Sequence, residues 1–330
     1  MNLTEVHQEE SCVHSNFSCL GTSLTAADVL LYASVAVVVT LTVCGNLLVI
    51  ISICHFKQLQ TPTNLLLLSL AMADFLVGVT VMPLYFTMVI YPQRCFDTLY
   101  CTIFYLTALC LTFVSIYNVA LIAVDRFFTI CNPFQYSMKM TLKVTLRIIC
   151  IVWLSSLIYS MMVLYFSGTI LDLKENITCV ECALQLNEIL AIIDCLIIFI
   201  LPCLTIIIMY LKIFSIVKTQ ANKIRCVQKC TNNATVTSER KAGKALGVLV
   251  AVFLLCLVPT YICAFLAAYI GNTSVRIAAS NLSTLVFLNS AINPIIYALF
   301  YPWFQRCVKL ILTYRIFREG SSDLNVLATK

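Results

Sequence analysis

Charge is what this chain has least of. Asp, Glu, Lys and Arg together make up 11% of 330 residues, where a soluble domain carries about 25%. There are three histidines, His7, His14 and His55, and no Cys/His set has zinc-ligand spacing, so a metal centre of that kind is not expected. No His-Glu-x-x-His stretch and no paired acids in one intramembrane motif are present, which argues against an intramembrane enzyme. Paired, broken helices in repeated halves, the pattern of many transporters, are also missing.

Long apolar runs are what the chain has in abundance, with 61% hydrophobic residues. Val29–Cys54, Thr98–Val124, Ile148–Leu171, Ala245–Val275 and Ile277–Gln305 hold no charge; Gln58–Gln93 holds only Asp74, and Leu190–Leu211 only Asp194. Each supplies the ~20 residues of a spanning helix. The expected fold is therefore all-α: a seven-helix membrane bundle over 29–300, an extracellular tail over 1–28, and a short amphipathic cytoplasmic helix with a tail over 301–330.

Basic residues orient the bundle. Arg94, Lys174 and Arg276 lie on one side, and the other Lys and Arg residues lie on or near the opposite side, clustered in 212–244 and 306–318. The positive-inside rule then puts the N-terminus outside and the C-terminus in the cytoplasm. The net charge of +6 is a topology signal and a contact surface for anionic lipid, not a sign of nucleic-acid binding. Residues 1–28 are polar and acidic, so no cleavable leader is expected. The sequons at Asn2, Asn16 and Asn176 fall on the outer side as glycosylation sites. Of the eighteen cysteines, Cys12, Cys19, Cys95, Cys101, Cys179 and Cys182 face outward, where disulfides persist; spacing does not choose among their 15 pairings.

Asp194 stands out. A carboxylate in a spanning helix costs roughly 2.5–3.5 kcal/mol on insertion scales, so it marks a cavity or a partner charge. A cationic ligand is the expected partner; the competing reading is a hydrogen bond to a neighbouring helix.

Motifs run through all seven segments: Gly45-Asn46; Leu70-Ala71-Met72-Ala73-Asp74; Asp125-Arg126-Phe127; Trp153; Pro202 with Tyr210; Phe253 through Leu257 to Pro259; Asn293-Pro294 with Tyr297. In this order they resemble a class A (rhodopsin-like) G-protein-coupled receptor along the whole chain. The run from Asn289 through Tyr297 to Tyr301-Pro302-Trp303-Phe304, with Asn16-Phe17-Ser18-Cys19, resembles the trace amine-associated receptors.

That resemblance implies a receptor, not an enzyme, in the plasma membrane, coupled to a heterotrimeric G protein that raises cAMP, and used in olfaction. It implies a Cys101–Cys182 disulfide, with Cys179 joined to Cys19 or Cys12. It implies a sodium site at Asp74 with Ser115, Asn289 and Ser290, or a purely polar network there; no other cofactor is expected. It implies that Arg126 pairs with Asp125 and Glu239 at rest and with Tyr210 and Tyr297 when active. Phe253, Pro259, Asn293 and Pro294 then carry the movement. Thr260, Tyr261, Phe265, Ser283 and Phe287 are expected to line the ligand cavity. Cys307 is either a lipidated or a plain buried thiol.

Two positions depart from the family. The amine-binding Asp of the third helix, 17 residues before the Asp-Arg motif, is Ala108, and the Trp two residues before the sixth-helix proline is Leu257. Ala108 lies about 10 Å below Cys101 and Asp194 about 8 Å below Ile189, at 1.5 Å per residue, so the two sit at similar depth on different walls. Some fish trace amine receptors resemble this arrangement, with the acid on the fifth helix. The expected ligand is a small protonated amine held by Asp194 in an inverted pose, a monoamine more than a diamine. The runner-up is a class A receptor for a non-amine small molecule, or an orphan receptor. A retinal-binding opsin is excluded by Phe287, which stands where that family keeps its Schiff-base lysine.

Overall fold

A computed structural model of the chain describes residues 26–90, 96–168, 182, 184, 186–227, 234–270 and 273–327. Among them, seven helices are long and apolar enough to cross a membrane: Val29–His55, Pro62–Ile90, Thr98–Cys131, Leu142–Phe166, Glu188–Ile216, Gly247–Ala267 and Asn281–Phe300. They are called the first to seventh helices below.

Local chemistry starts several of them. Thr61 caps the second helix by accepting from the Asn64 N–H, with Pro62 in the first turn; Thr141 caps the fourth through Val144, and Asn187 the fifth through Leu190 at 2.8 Å. The third helix runs through the middle and packs on the second, fourth and fifth, while the sixth and seventh pack on each other and the seventh on the first.

Prolines shape the backbone where the site lies. In the second and fifth helices a wide-turn π segment, Val77–Val81 and Cys195–Ile200, stands just before Met82-Pro83 and Leu201-Pro202. The Leu201 N–H reaches back to Leu196 O, five residues away. The next donor in that register would be Pro202, which has no N–H, so Ile197 O loses its helical partner. The Tyr117 hydroxyl of the third helix donates to it at 3.1 Å. One extra residue in a turn rotates everything before it by about 100°. The side chain that directly precedes the segment is Asp194.

Pro294 acts similarly in the seventh helix. It leaves Ser290 O without its donor four residues on, and Asn46 Nδ2 donates there at 3.0 Å. Gly45 permits that approach, because a Cβ on it would stand 2.7 Å from Pro294 Cβ.

Past the seventh helix, Pro302–Leu312 forms the expected short helix, with Trp303, Phe304 and Cys307 buried. Cys307 is fully buried, and burial pushes its thiol up to about 11. Of the two roles considered for it, the structure matches the plain buried thiol. The segment beyond turns back on the first inter-helix turn: His55 Nε2 and Ser321 Oγ are 3.0 Å apart, Lys57 pairs with Asp323 at 3.0 Å, and Val326 is buried.

Candidate functional site

Asp194 ends the first stretch of the fifth helix, Glu188–Asp194, and the wide turn that follows aims it at the fourth helix. There the Tyr159 hydroxyl donates to its Oδ1 in a short hydrogen bond. Among the described residues Oδ2 takes no hydrogen bond. Tyr261 of the sixth helix lies within electrostatic reach of the carboxylate and stacks on Phe199 at 4.9 Å, nearly parallel. Behind Tyr159 stands Phe113 of the third helix at 5.6 Å, itself stacked on Tyr117 at 4.3 Å. One carboxylate, held on one side by a phenol and set among aromatic rings from four helices, can hold a cation by charge and by ring faces.

The bond to Tyr159 is the kind of helix-to-helix contact that was the competing reading of Asp194. It engages Oδ1, while Oδ2 takes no hydrogen bond among the described residues. Tyr159, Tyr117, Phe113 and Phe199 were not picked out from the sequence. Their aromatic character was visible, but in apolar helices it does not separate packing from lining.

Of the expected lining residues, Tyr261 lies within electrostatic reach of Asp194. Thr260 is buried and its Oγ1 serves Cys256 O at 3.1 Å and Leu282 O at 2.9 Å, tying the sixth helix to the seventh. Ser283 Oγ donates to Ala279 O at 3.0 Å on its own helix. Phe287 is buried edge-on against Tyr85 at 4.9 Å, and Tyr85 reaches Thr284 at 3.1 Å. Phe265 stands 42% exposed. Ala108 is half-buried against the core.

Above this level the disulfide between Cys101 and Cys182 forms as expected. Tyr105 fastens the strand of chain that follows it, donating to Cys182 O at 2.8 Å and accepting from Leu184 N at 3.2 Å. Cys19, Cys179, Asn2, Asn16 and Asn176 lie outside the described residues.

Deeper in the bundle, fully buried Asp74 accepts from Ser290 Oγ at 2.8 Å and from Asn293 Nδ2 at 2.6 Å. A cavity of about 20 Å³ adjoins it, lined by Ser115, Asn289, Ser290, Phe253, Leu257 and Phe287 among others. Such a space holds about one water-sized particle. Asn289 Oδ1 is buried there without a hydrogen-bond partner, and Ser115 Oγ lies close to the Asp74 carboxylate; these oxygens together fit a hard cation. The oxygen set that would hold it is Asp74, Ser115, Asn289 and Ser290.

At the basic end, Asp125 departs from expectation. Its Oδ2 accepts from Thr63 at 2.6 Å and its Oδ1 from Tyr136 in a short bond, so the carboxylate is turned to the second helix and the short helix Pro133–Lys139. No Asp125–Arg126 ion pair exists among the described residues, where the salt bridge is Lys57–Asp323. Burial, then the Asp125 carboxylate, pushes the Tyr136 hydroxyl upward, which keeps it a donor. Arg126 Nε is buried without a partner, and Tyr210 and Tyr301 lie within its electrostatic reach. The side chain of Glu239 lies outside the described residues. Tyr297 is buried, its hydroxyl without a hydrogen-bond partner.

The sequence profile described as 7 transmembrane receptor (rhodopsin family) matches residues 45–297. Trace amine-associated receptor 13c of Danio rerio is 39% identical over 322 residues, covering 94% of each chain. Trace amine-associated receptor 7f of Mus musculus is 38% identical over 331 residues, covering 96% of this chain and 90% of its own. Trace amine-associated receptor 7d of Rattus norvegicus is 37% identical, covering 96% and 89%. With seven spanning helices in the order and with the motifs described above, the chain is a multi-pass plasma-membrane receptor, not an enzyme, and it belongs to the rhodopsin family and, within it, to the trace amine-associated receptors.

Proposed function

We propose that this receptor binds a small protonated monoamine with Asp194 as counter-ion, and passes the signal to a heterotrimeric G protein that raises cAMP. The observation that carries the reading is the Asp194 carboxylate, with Oδ1 held by Tyr159 and Oδ2 open, beside Tyr261. An ammonium about 4 Å away gains roughly 4 kcal/mol at an effective dielectric near 20, about three decades of affinity. With Ala108 in the third helix, a diamine would leave its second ammonium without a buried partner. The basic clusters at 212–244 and 306–318 support a cytoplasmic C-terminus, where the G protein would dock.

The switch elements follow the same reading. Asp74 with its cavity binds sodium in the resting receptor, through Ser115, Asn289 and Ser290. Arg126, flanked by Tyr210 and Tyr301, engages the G protein after release from the Glu239 side. With Leu257 in place of the family's Trp, Phe253, which lines the cavity, and Pro259 carry the movement.

The test is a dose–response series of Asp194→Ala against an amine panel at matched surface expression. A loss of about a thousandfold in potency is expected; unchanged potency ends the reading. Olfactory use is supported by the family alone, and transcript location in sensory neurons tests it.

A further inference from the structure

Past the short helix Pro302–Leu312 the chain forms a strap. Tyr314 and Gly320, both at positive φ, turn it back so that it lies against the first inter-helix turn. His55 Nε2 and Ser321 Oγ are 3.0 Å apart, Lys57 pairs with Asp323 at 3.0 Å, and Arg306 donates to Val326 O at 3.2 Å. Ile316 and Val326 are buried under it. The ion pair is exposed on both sides and contributes little. A segment held by so few contacts opens locally well before the bundle does.

Ser321 is the residue that this docking hides. It is 5% exposed, and its hydroxyl donates to Ile316 O at 2.5 Å. That proton is committed there, so His55 Nε2 is the donor between His55 and Ser321. Arg318 and Arg315, three and six residues ahead of Ser321, are both exposed. A guanidinium three residues before a serine hydroxyl suits the acidic cleft of an arginine-directed kinase. Such a cleft takes an extended peptide, whereas Arg315–Phe317 and Ser321–Asp323 are tight turns in the docked strap.

We propose that Ser321 is a phosphorylation site for an arginine-directed serine kinase, withheld while the strap is docked and keeping the strap off once modified. Ser321 Oγ attacks the γ-phosphorus of ATP, the bond from that phosphorus to the β,γ-bridging oxygen breaks, ADP leaves, and the hydroxyl proton passes to the kinase's base. The ester oxygen then has no proton for Ile316 O, which loses that donor. The phosphate brings a charge of about −1.5 to −2 to a buried position two residues from Asp323. His55 and Lys57 are the cations that face it, and Lys57 is already paired with Asp323. Redocking is therefore disfavoured.

The experiment uses the full-length receptor in lipid nanodiscs, with ATP and the catalytic subunit of cyclic-AMP-dependent protein kinase as the probe. Mass spectrometry follows phosphate on Ser321, and hydrogen exchange follows the amides of 313–327. Val326→Asp puts a charge where a buried valine docks and leaves Arg315, Arg318 and Ser321 in place. Phosphate is expected on Ser321, about tenfold faster in Val326→Asp than in the wild type. The phosphorylated wild type should exchange about tenfold faster over 313–327 than the unmodified one. Equal phosphorylation rates overturn the proposal, as does phosphate confined to Ser322 or absent from Ser321 in Val326→Asp. Unchanged exchange after phosphorylation overturns it too. So does slower exchange, which would mean that His55 and Lys57 hold the phosphate and fasten the strap. If Val326→Asp does not fold, Lys57→Glu, which breaks the pair with Asp323, makes the same comparison from the other side of the contact.

Discussion

Tyr117→Phe should weaken amine responses although Tyr117 need not touch the ligand. The Tyr117 hydroxyl fills the acceptor on Ile197 that the wide turn before Pro202 leaves open, at 3.1 Å. Removing it strands a buried carbonyl, at a cost of about 1–3 kcal/mol. That cost falls on the wide-turn register alone. In a regular α register the orphan would be Ile198 O, and the preceding turn would sit about 100° round the axis. A carboxylate about 5 Å from that axis then moves roughly 8 Å. Taking an ion pair from about 4 Å to about 10 Å at an effective dielectric of 20 lowers its energy from roughly 4 to under 2 kcal/mol. A bias of 1–3 kcal/mol lowers the competent fraction by up to about 5- to 150-fold, and about seventyfold is the ceiling set by the lost Coulomb energy of roughly 2.5 kcal/mol. The expected result is an EC50 about five- to seventyfold higher, with the maximal response retained and normal surface expression. The same change made on an Asp194→Ala background should add nothing, a non-additivity that marks a shared cause. An unchanged EC50 in well-expressed Tyr117→Phe would refute the link between the wide turn and the acid.

Gly45→Ala places a methyl within 2.7 Å of Pro294 Cβ and should cost about 1–3 kcal/mol, seen as lower surface expression and a lower melting temperature of the purified receptor. With sodium replaced by choline in the medium, agonist EC50 should shift several-fold in the wild type and not in Asp74→Asn; equal responses in both would count against an ion in that cavity. Raising pH through the pKa of the amine agonist should lower its potency in step with its protonated fraction, because only the cation pairs with Asp194, whereas a non-amine agonist would show no such dependence. Cys307 should resist maleimide labelling in the folded receptor at pH 7.4, since burial holds its thiol up at about 11 and the neutral form unreactive below that, and Cys307→Ala should leave palmitate incorporation unchanged.

Much of this protein is written locally. Seven apolar runs of spanning length, five uncharged and two with a single acid, and a lopsided Lys and Arg distribution, are sums over neighbouring residues, so the all-α bundle could be read without coordinates. Asp74 and Asp194 were legible because a charge in such a run is costly wherever it lies. The polar layer below was readable in part: Asp74 and Ser290 do meet, and Asn293, expected only as a switch residue, joins them. Asp125 was not. Its adjacency to Arg126 suggested a pair, but neighbours on a helix point different ways, and Thr63 and Tyr136 come to it from elsewhere. That Thr260 and Ser283 donate their hydroxyl protons to nearby carbonyls was not legible either, because the acceptors are set by the helix backbone and the neighbouring helix.

Asp194 divides the two sources of information. Its presence, its approximate depth and the absence of an acid at Ala108 belong to the linear chain. Its direction does not. That comes from a proline that cannot donate, a turn widened by one residue, and a hydroxyl on another helix that donates to the freed carbonyl. Rotation about a helix axis accumulates over every preceding turn and is stabilised by partners far off in sequence. Which wall Asp194 faces, and that Tyr159 takes one of its oxygens, could therefore be decided only where the third, fourth and fifth helices come together.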